Sequence, residues 1–255
     1  MFMTNTTLIK YKNEVENTIA NIKTNRKNIG DFDLQKYIGT HFYVTGLLMP
    51  QLRSAYNKGF SFSTFSLEKQ YAIYRYIFMH SETFDVLLQS LFFCEKYVKM
   101  AEPEFIFNEL LDWQQRIDNW AHSDMLTQHF AYLHEYYPEM VYPHLIAWNK
   151  SENPWERRQS VLSLLGYVRF RKKYPPFAKI IALVKPLLRD NAYYVQKGVG
   201  WCMRETGIIY PEKTFVFLKD NHHLVSSTAF TTAVEKINEQ NKEALKLLRK
   251  KSRKK

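Results

Sequence analysis

Apolar residues recur along this chain with the period of an α-helix. In the segment 190–206, Val195, Val199 and Cys202 occupy positions i, i+4 and i+7, which share one face of a helix. The segment near 122–136 and the segment 154–171 have stripes of the same kind. These stripes consist of Leu126, Phe130, Leu133 and Tyr137 in the first segment and Val161, Leu162, Leu165 and Val168 in the second. The pattern predicts amphipathic helices that each turn one face toward a core.

A two-helix unit repeats in the C-terminal half. Four short apolar helices are predicted to begin at prolines that are 35, 37 and 36 residues apart, because proline suits the first helical position. These prolines are Pro103, Pro138, Pro175 and Pro211. Each short helix is followed by a longer one, and the longer helices are predicted at about 120–136, 154–171, 190–206 and 226–237. Such a repeat is typical of stacked helix pairs. We predict an all-α fold, a HEAT-like helical-repeat solenoid (α-α superhelix) with a concave side.

The N-terminal half is less regular. Helices are expected at Leu8–Ile22, Ser66–His80 and Ser81–Val98, and the first serine of each of the last two is an expected N-cap. Glycine is scarce, at 8 residues, and no Asn-Gly type dipeptide separates apolar runs, so a sheet built of hairpins is not expected. We predict one domain over residues 1–241, followed by a basic C-terminal tail, 242–255.

The positive charge is concentrated in two segments. The net charge is +11; the tail 242–255 carries +7 and the segment 154–204 carries +9. The remaining residues therefore carry −5, which is the total less these two contributions. A strongly basic block in an otherwise slightly acidic protein indicates a polyanion partner, most often nucleic acid. For the tail, a solvated and frayed end is the alternative; a membrane surface is disfavoured, since the apolar stripes are needed for a core.

Other sequence signals favour a cytoplasmic protein. No basic region followed by an apolar run opens the chain, no apolar stretch is long enough for a membrane span, and Cys94 and Cys202 fit a core. The chain has no Gly-rich phosphate loop, nucleophile elbow or paired-cysteine spacing, and its histidines match no ligand pattern. We therefore expect neither a metal nor a small-molecule cofactor, and we expect a monomer.

Aromatic and charged residues lie on the faces opposite the apolar stripes. Lys197, Trp201 and Arg204 also occupy positions i, i+4 and i+7, so Trp201 is expected between two cations rather than on the apolar side. An indole in that setting can stack on a nucleotide or face a cationic base, and a core tryptophan is the alternative. Asp124 lies opposite its stripe, one turn after Trp120, where it could simply complement the helix dipole.

Two arginines open the helix predicted at 154–171. Arg157 and Arg158 lie in its first turn, where cations oppose the helix dipole. Contact with a phosphate would explain them, and solvation at the surface is the alternative.

Several of these segments resemble the AlkD-type DNA alkylation repair proteins. Tyr-Val-Gln-Lys-Gly-Val-Gly-Trp-Cys-Met-Arg-Glu at 194–205 is similar to the family's most recognisable stretch. Asn-Pro-Trp-Glu-Arg-Arg at 153–158 and Trp-Ala-His-Ser-Asp at 120–124 resemble two others, and Gly-Leu-Leu-Met-Pro-Gln-Leu-Arg at 46–53 is a fainter match. These segments follow the family's order, and the resemblance covers roughly residues 43–237.

The resemblance implies a fold, an activity and roles for particular residues. The family cradles duplex DNA on the concave face of a HEAT-like solenoid and hydrolyses the N-glycosidic bond of N3- or N7-alkylated purines without a deep base-flipping pocket. By match, Asp124 is the catalytic carboxylate, Trp120 and Trp201 flank it, and Arg158, or Arg157 if the alignment slips by one, contacts the DNA backbone. Lys197 and Arg204 are further candidates for DNA binding, from their face of the helix.

Two other functions fit the same features. A DNA-binding relative without glycosylase activity would keep every basic segment, and only Asp124 argues against it. A protein-interaction scaffold is a common use of helical repeats, but it does not need the basic block 154–204.

Overall fold

The computed structural model describes residues 3–22 and 33–252. Within these ranges every regular element is helical, apart from one isolated β-bridge between Tyr43 and Thr83. The α-helices are, in chain order, α1 (Asn5–Ala20), α2 (Leu34–Ile38), α3 (Met49–Lys58), α4 (Leu67–His80), α5 (Phe84–Tyr97), α6 (Pro103–Gln114), α7 (Trp120–Tyr136), α8 (Pro138–Trp148), α9 (Pro154–Leu162), α10 (Phe177–Val184), α11 (Tyr193–Ile209), α12 (Pro211–Asp220), α13 (Ser227–Ala233) and α14 (Glu239–Ser252). The predicted all-α helical-repeat fold is confirmed.

Proline starts three of the four repeated short helices. Pro103, Pro138 and Pro211 are the first residues of α6, α8 and α12, where a missing amide proton costs no hydrogen bond. The fourth prediction is shifted: α10 begins at Phe177, and Pro176 rather than Pro175 precedes it as the N-cap. The spacing of the prolines therefore reflects a real repeat of helix starts.

The helices form two compact units, Met1–Leu126 and Thr127–Lys255. In the first unit α4 packs on α5, which is buried along nearly its whole length. Aromatic rings fill this core in near-parallel pairs, with the rings of Phe78 and Trp113 4.3 Å apart and those of Tyr74 and Phe93 4.6 Å apart. The prediction of one domain over residues 1–241 stays a prediction.

The second unit is built around α11, which contacts α9, α12 and α13. Two glycines allow neighbouring helices to approach it closely. A Cβ on Gly198 would lie 3.1 Å from Cγ of Arg158, and one on Gly200 would lie 2.6 Å from the carbonyl oxygen of Ala229. The α11 helix is therefore covered on several sides and not along one stripe alone.

The predicted apolar stripes are mostly confirmed. Val195, Val199 and Cys202 are at most 1% exposed, and the stripes of 122–136 and 154–171 are buried except at one position. That position is Tyr137, which is 41% exposed because α7 ends at Tyr136 and the helical phase is lost. Both cysteines are buried and free, as predicted for core residues.

Several predicted boundaries are wrong. The first helix begins at Asn5 and not at Leu8, the helix expected at 190–206 is Tyr193–Ile209, and the one expected at 226–237 ends at Ala233. The helix expected over 154–171 ends at Leu162, and the chain turns at Gly166, whose φ of +55° is a left-handed conformation that favours glycine. The segment then makes a 3-10 turn, Val168–Phe170. The helix expected from Ser81 begins at Phe84 with Thr83 as its N-cap, because the Ser81 hydroxyl donates to the carboxylate of Glu16 instead.

The predicted basic tail begins inside a folded helix. Of its residues, 253–255 lie outside the described part of the chain, and the rest belong to α14. Leu245 is fully buried, and the Arg249 guanidinium donates to the carbonyl oxygens of His222 and Val225 at 2.7 and 2.6 Å. Up to Ser252 this segment is therefore held to the second unit and is not a frayed end.

The close packing of α11 predicts opposite effects for two glycine substitutions. Gly200→Ala should destabilise the protein by about 1–3 kcal/mol, because the new methyl group would meet backbone atoms of Ala229. Gly207→Ala, in the same helix, should stabilise it by about 0.5–1 kcal/mol, since its Cβ would be 3.6 Å from Cγ2 of Thr214. Urea unfolding of both variants measures the difference. A Gly200→Ala protein as stable as Gly207→Ala would contradict the packing described here.

Candidate functional site

The predicted Trp120 and Asp124 lie one turn apart at the N-terminal end of α7, in the first unit. Both residues are partly exposed. The Trp120 indole N–H donates to the carbonyl oxygen of Tyr37 at 3.3 Å, and the two rings meet edge to face at 5.8 Å. The indole is thereby fixed at the surface beside the carboxylate.

Buried polar groups fix the first turn of α7 in place. The Asn119 side-chain oxygen accepts from the backbone N–H of His122 at 2.8 Å, which caps the helix. The amide nitrogen of Asn119 therefore faces Asp118 at 2.7 Å and Nδ1 of His122 at 3.0 Å. Asp118 in turn accepts from the Thr40 hydroxyl and the His41 backbone N–H. These bonds determine the direction in which the first turn points.

The hydrogen bonds around His122 require a neutral imidazole. Nδ1 accepts from the Asn119 amide, so the ring proton is on Nε2, which donates to the carbonyl oxygen of Phe84 at 3.1 Å. The ring also stacks on that of Phe84 at 4.3 Å. The pKa of His122 is lowered to about 4, chiefly by burial and also by the nearby Arg116, which together outweigh the opposing effects of the Phe84 carbonyl and Asp118.

Trp201 lies in the second unit and is buried, with 8% of its surface exposed. The Tyr167 ring packs on it at 4.7 Å, and the Arg204 guanidinium lies 5.8 Å from its centre. It does not stand on an open basic surface, because the Tyr167 ring covers it and α9, α12 and α13 pack on α11. Its indole N–H is buried, and no described residue accepts a hydrogen bond from it. A buried donor without an acceptor is costly to the folded state.

The four predicted DNA-binding cations differ in the ion pairs and hydrogen bonds that they make within the protein. Arg157 pairs with Asp190 at 2.6 Å and donates to the carbonyl oxygens of Ser151 and Glu152. Arg204 pairs with Glu205 at 2.9 Å and with Glu235 at 3.1 Å. Both therefore contribute to the structure of the second unit.

The other two predicted cations, Arg158 and Lys197, differ in their exposure to solvent. Arg158 is 3% exposed, and its Nη1 donates to the carbonyl oxygen of Tyr194 at 2.6 Å, which ties α9 to the start of α11. Lys197 is exposed on α11. Of these four cations Lys197 alone is exposed, and the phosphate contacts of all four stay predictions.

The sequence patterns did not single out Tyr37 or Tyr167. Tyr37 fixes the Trp120 indole, but it lies outside the segments 46–53, 120–124, 153–158 and 194–205 that carry the resemblance. Tyr167 packs on Trp201, but it lies in a segment that the periodicity assigned to a helix. The sequence signal was a glycine, Gly166, directly before Tyr167, and the positive φ that breaks the helix there is known only from the structure.

The described residues hold neither a cluster of metal-ligating side chains nor a helix that could span a membrane. No group of three or more His, Cys, Asp or Glu side chains is arranged there to hold a metal ion. None of the helices described has both the length and the apolar character that crossing a membrane requires.

Known proteins share the sequence pattern and the fold. Residues 20–237 match the model of a family described as DNA alkylation repair enzyme. A solved structure described as a predicted DNA alkylation repair enzyme from Enterococcus faecalis has a TM-score of 0.64 and 12% identity, covering 80% of this chain and 93% of that one. AlkD2 from Streptococcus mutans has a TM-score of 0.55 and 17% identity, covering 91% and 99%. No curated protein matches the chain.

The buried neutral His122 predicts a loss of stability in mild acid. Its pKa in the folded protein is below the value of about 6.5 expected on unfolding, so the unfolded chain binds more protons between these values. The free energy of unfolding should therefore fall as the pH falls from 6.5 to 4, and His122 should contribute about 3 kcal/mol of that fall. Urea unfolding across this range measures the effect.

A substitution separates the contribution of His122 from the rest. His122→Gln should reduce the pH dependence, and His223→Gln, at an exposed position, should leave it unchanged. The part due to His134, whose pKa burial also lowers to about 4, should remain in both variants. Equal pH dependence in His122→Gln and the unmodified protein would show that His122 does not titrate in this way.

Proposed function

The chain belongs to the DNA alkylation repair enzyme family, and we propose that it is a DNA glycosylase acting on alkylated purines. The substrates are purines made cationic by alkylation at N3 or N7 in duplex DNA. The reaction is hydrolysis of the N-glycosidic bond, with Asp124 as the catalytic carboxylate. It uses no metal and no small-molecule cofactor.

The position of Trp120 and Asp124 carries this proposal. They lie one turn apart, both partly exposed, on a helix end that Asn119 and His122 hold in place. An aromatic face and a carboxylate are thereby presented together at the surface. Such a pair suits a positively charged base and the deoxyribose attached to it, because the ring face and the carboxylate are both negative.

The chemistry needs few protein groups. Alkylation at N3 or N7 places a positive charge on the purine, so the base leaves as a neutral molecule without a general acid. As the bond to C1′ lengthens, the sugar gains oxocarbenium character, and a fixed carboxylate stabilises that charge. The same carboxylate orients a water molecule for attack at C1′. Since Asp124 and Trp120 are accessible at the surface, the proposed reaction does not require a deep base-flipping pocket.

Features of the second unit support a DNA partner. The segment 154–204 has a net charge of +9, and Lys197 is exposed within it. Trp201 keeps 8% of its surface exposed, and the resemblance assigns it to the lesion nucleotide. We propose that Lys197 contacts a phosphate and Trp201 contacts the lesion nucleotide, while Arg157, Arg158 and Arg204 hold α9 and α11 in position beside it.

Asp124→Asn tests the catalytic role. The amide is similar in size but uncharged, so release of 7-methylguanine from methylated duplex DNA should fall by at least 100-fold, roughly the effect of losing one electrostatic stabiliser of a transition state. DNA affinity should change little. Asp112→Asn, whose side chain is 58% exposed on α6, is the matched control and should keep full activity.

The outcomes separate the candidate functions. Equal release by Asp124→Asn and the unmodified protein would show that Asp124 is not the catalytic carboxylate. Salt-sensitive DNA binding without release by the unmodified protein would favour the DNA-binding relative without glycosylase activity.

The salt dependence of DNA binding tests Lys197. Each phosphate contact contributes about 0.9 to the slope of log K against log salt concentration. Lys197→Ala should therefore lower the slope by about 1, and Lys69→Ala, an exposed lysine on α4, should not. Fluorescence anisotropy with a duplex at several salt concentrations measures both slopes. Identical slopes for the two variants would remove Lys197 from the DNA interface.

A further inference from the structure

The segment from Tyr167 to Tyr174 combines exposed aromatic residues with dense positive charge. Four cations occur within five residues, 169–173. The Phe170 side chain in their midst is 69% exposed, which is the largest exposed fraction among the bulky apolar residues that the structure describes. None of these residues has a role in the function proposed above.

Two buried carboxylates hold this segment against the second unit. Glu205 on α11 accepts from the backbone N–H of Val168 at 3.0 Å. Glu135 on α7 accepts from the backbone N–H groups of Lys172 and Lys173 at 2.7 and 3.0 Å. The backbone on both sides of Phe170 is thereby fixed, and its exposure is not that of a loose loop.

Arg171 adds a further anchor. Its side chain and that of Glu135 are each 5% exposed and 3.7 Å apart, and its guanidinium donates to the carbonyl oxygen of Ala131 at 2.8 Å. Of the four cations, Arg171 therefore serves the fold. Arg169, Lys172 and Lys173 are exposed.

The exposed ring continues a row of aromatic side chains that reaches Trp201. Phe170 meets Tyr167 edge to face at 6.2 Å, and Tyr167 packs on Trp201 at 4.7 Å. The Arg169 guanidinium lies 4.6 Å from the centre of the Phe170 ring and 5.1 Å from that of Tyr167. A cation and an aromatic face are thus presented side by side, next to the tryptophan of the candidate site.

A single exposed apolar residue is ordinary at a protein surface. Phe170 differs from such a residue because buried carboxylates hold the backbone on both sides of it and cations flank it. These charged neighbours disfavour an apolar protein partner and suit a polyanion. Nucleic acid offers both complementary features: phosphates for the cations and base faces for the ring.

We propose that the segment from Tyr167 to Tyr174 is a DNA-binding loop in which the Phe170 ring stacks against a base next to the nucleotide that Trp201 contacts. Arg169, Lys172 and Lys173 bind the flanking phosphates. This inference rests on the proposed function for its choice of DNA as the partner. It adds a stacking residue and a phosphate-binding segment to the contacts of Trp120, Trp201 and Lys197.

Phe170→Ala tests the stacking contact. It should weaken binding to a duplex containing an abasic-site analogue by about tenfold, in the range for loss of one stacked base. Phe105→Ala is the matched control, since Phe105 is 43% exposed and lies on α6 in the first unit. A 2-aminopurine beside the analogue reports stacking directly. Its fluorescence change on binding should persist in Phe105→Ala and be lost in Phe170→Ala.

Further variants separate stacking from charge and from folding. Phe170→Trp should bind within about threefold of the unmodified protein, since it keeps an aromatic face. Arg169→Ala should lower the salt slope by about 1, while Phe170→Ala leaves it unchanged. All three should keep the unfolding temperature of the unmodified protein, because the side chains are exposed.

The outcomes distinguish this inference from the proposed function. If Phe170→Ala binds as tightly as Phe105→Ala with the same 2-aminopurine signal, the loop is not a stacking element, even if the protein releases 7-methylguanine. If the protein releases no methylated purine but Phe170→Ala still weakens duplex binding tenfold, the DNA-binding role of the loop is supported and the glycosylase proposal fails. Absence of duplex binding by the unmodified protein would overturn both.

Discussion

The close packing of α11 in the second unit is the constraint on which most of the remaining structure there depends. Because Gly200 has no side chain, the backbone of α13 can lie where a Cβ would otherwise be. Gly198 leaves room in the same way for the aliphatic part of the Arg158 side chain from α9. Because α11 is enclosed in this way, Trp201 is buried against Tyr167 and does not stand at an open surface. Glu205 on the same helix pairs with Arg204 and holds the backbone of Val168. One helix thus positions the candidate tryptophan, an exposed lysine and the loop that carries Phe170.

The helix starts and core stripes could be predicted because they depend on local properties. Proline at the first helical position and apolar residues at helical spacing act within a few residues of themselves. The helix over 154–171 was predicted too long for a different reason. Its apolar stripe continues through Leu165 and Val168, which are buried as predicted, but the chain reaches those positions through a turn at Gly166. Periodicity reports which residues face a core and does not show whether the helix continues between them.

In the candidate site, too, the local geometry could be predicted and the contacts between distant segments could not. Trp120 and Asp124 were predicted one turn apart, and this holds because four residues along one helix decide it. The burial of Trp201 and Arg158 was not predictable from their own helices, since α9, α13 and Tyr167 supply the cover from elsewhere in the chain. The polar groups that fix the start of α7 include Thr40 and Phe84, which are distant in sequence. Contacts of this kind have no signature in the periodicity of either segment.

The proposed chemistry depends on the charge of the leaving base. The proposed site has an accessible carboxylate and an aromatic face, and no general acid is assigned to it. Departure of the base must therefore be driven by the positive charge of the base itself. The most direct measurement is therefore release of free base from two duplexes, one containing 7-methylguanine and one containing the neutral adduct O6-methylguanine. We expect release of 7-methylguanine and none of O6-methylguanine. Release of both adducts at similar rates, or of neither, would contradict a carboxylate-stabilised glycosylase that relies on a cationic base.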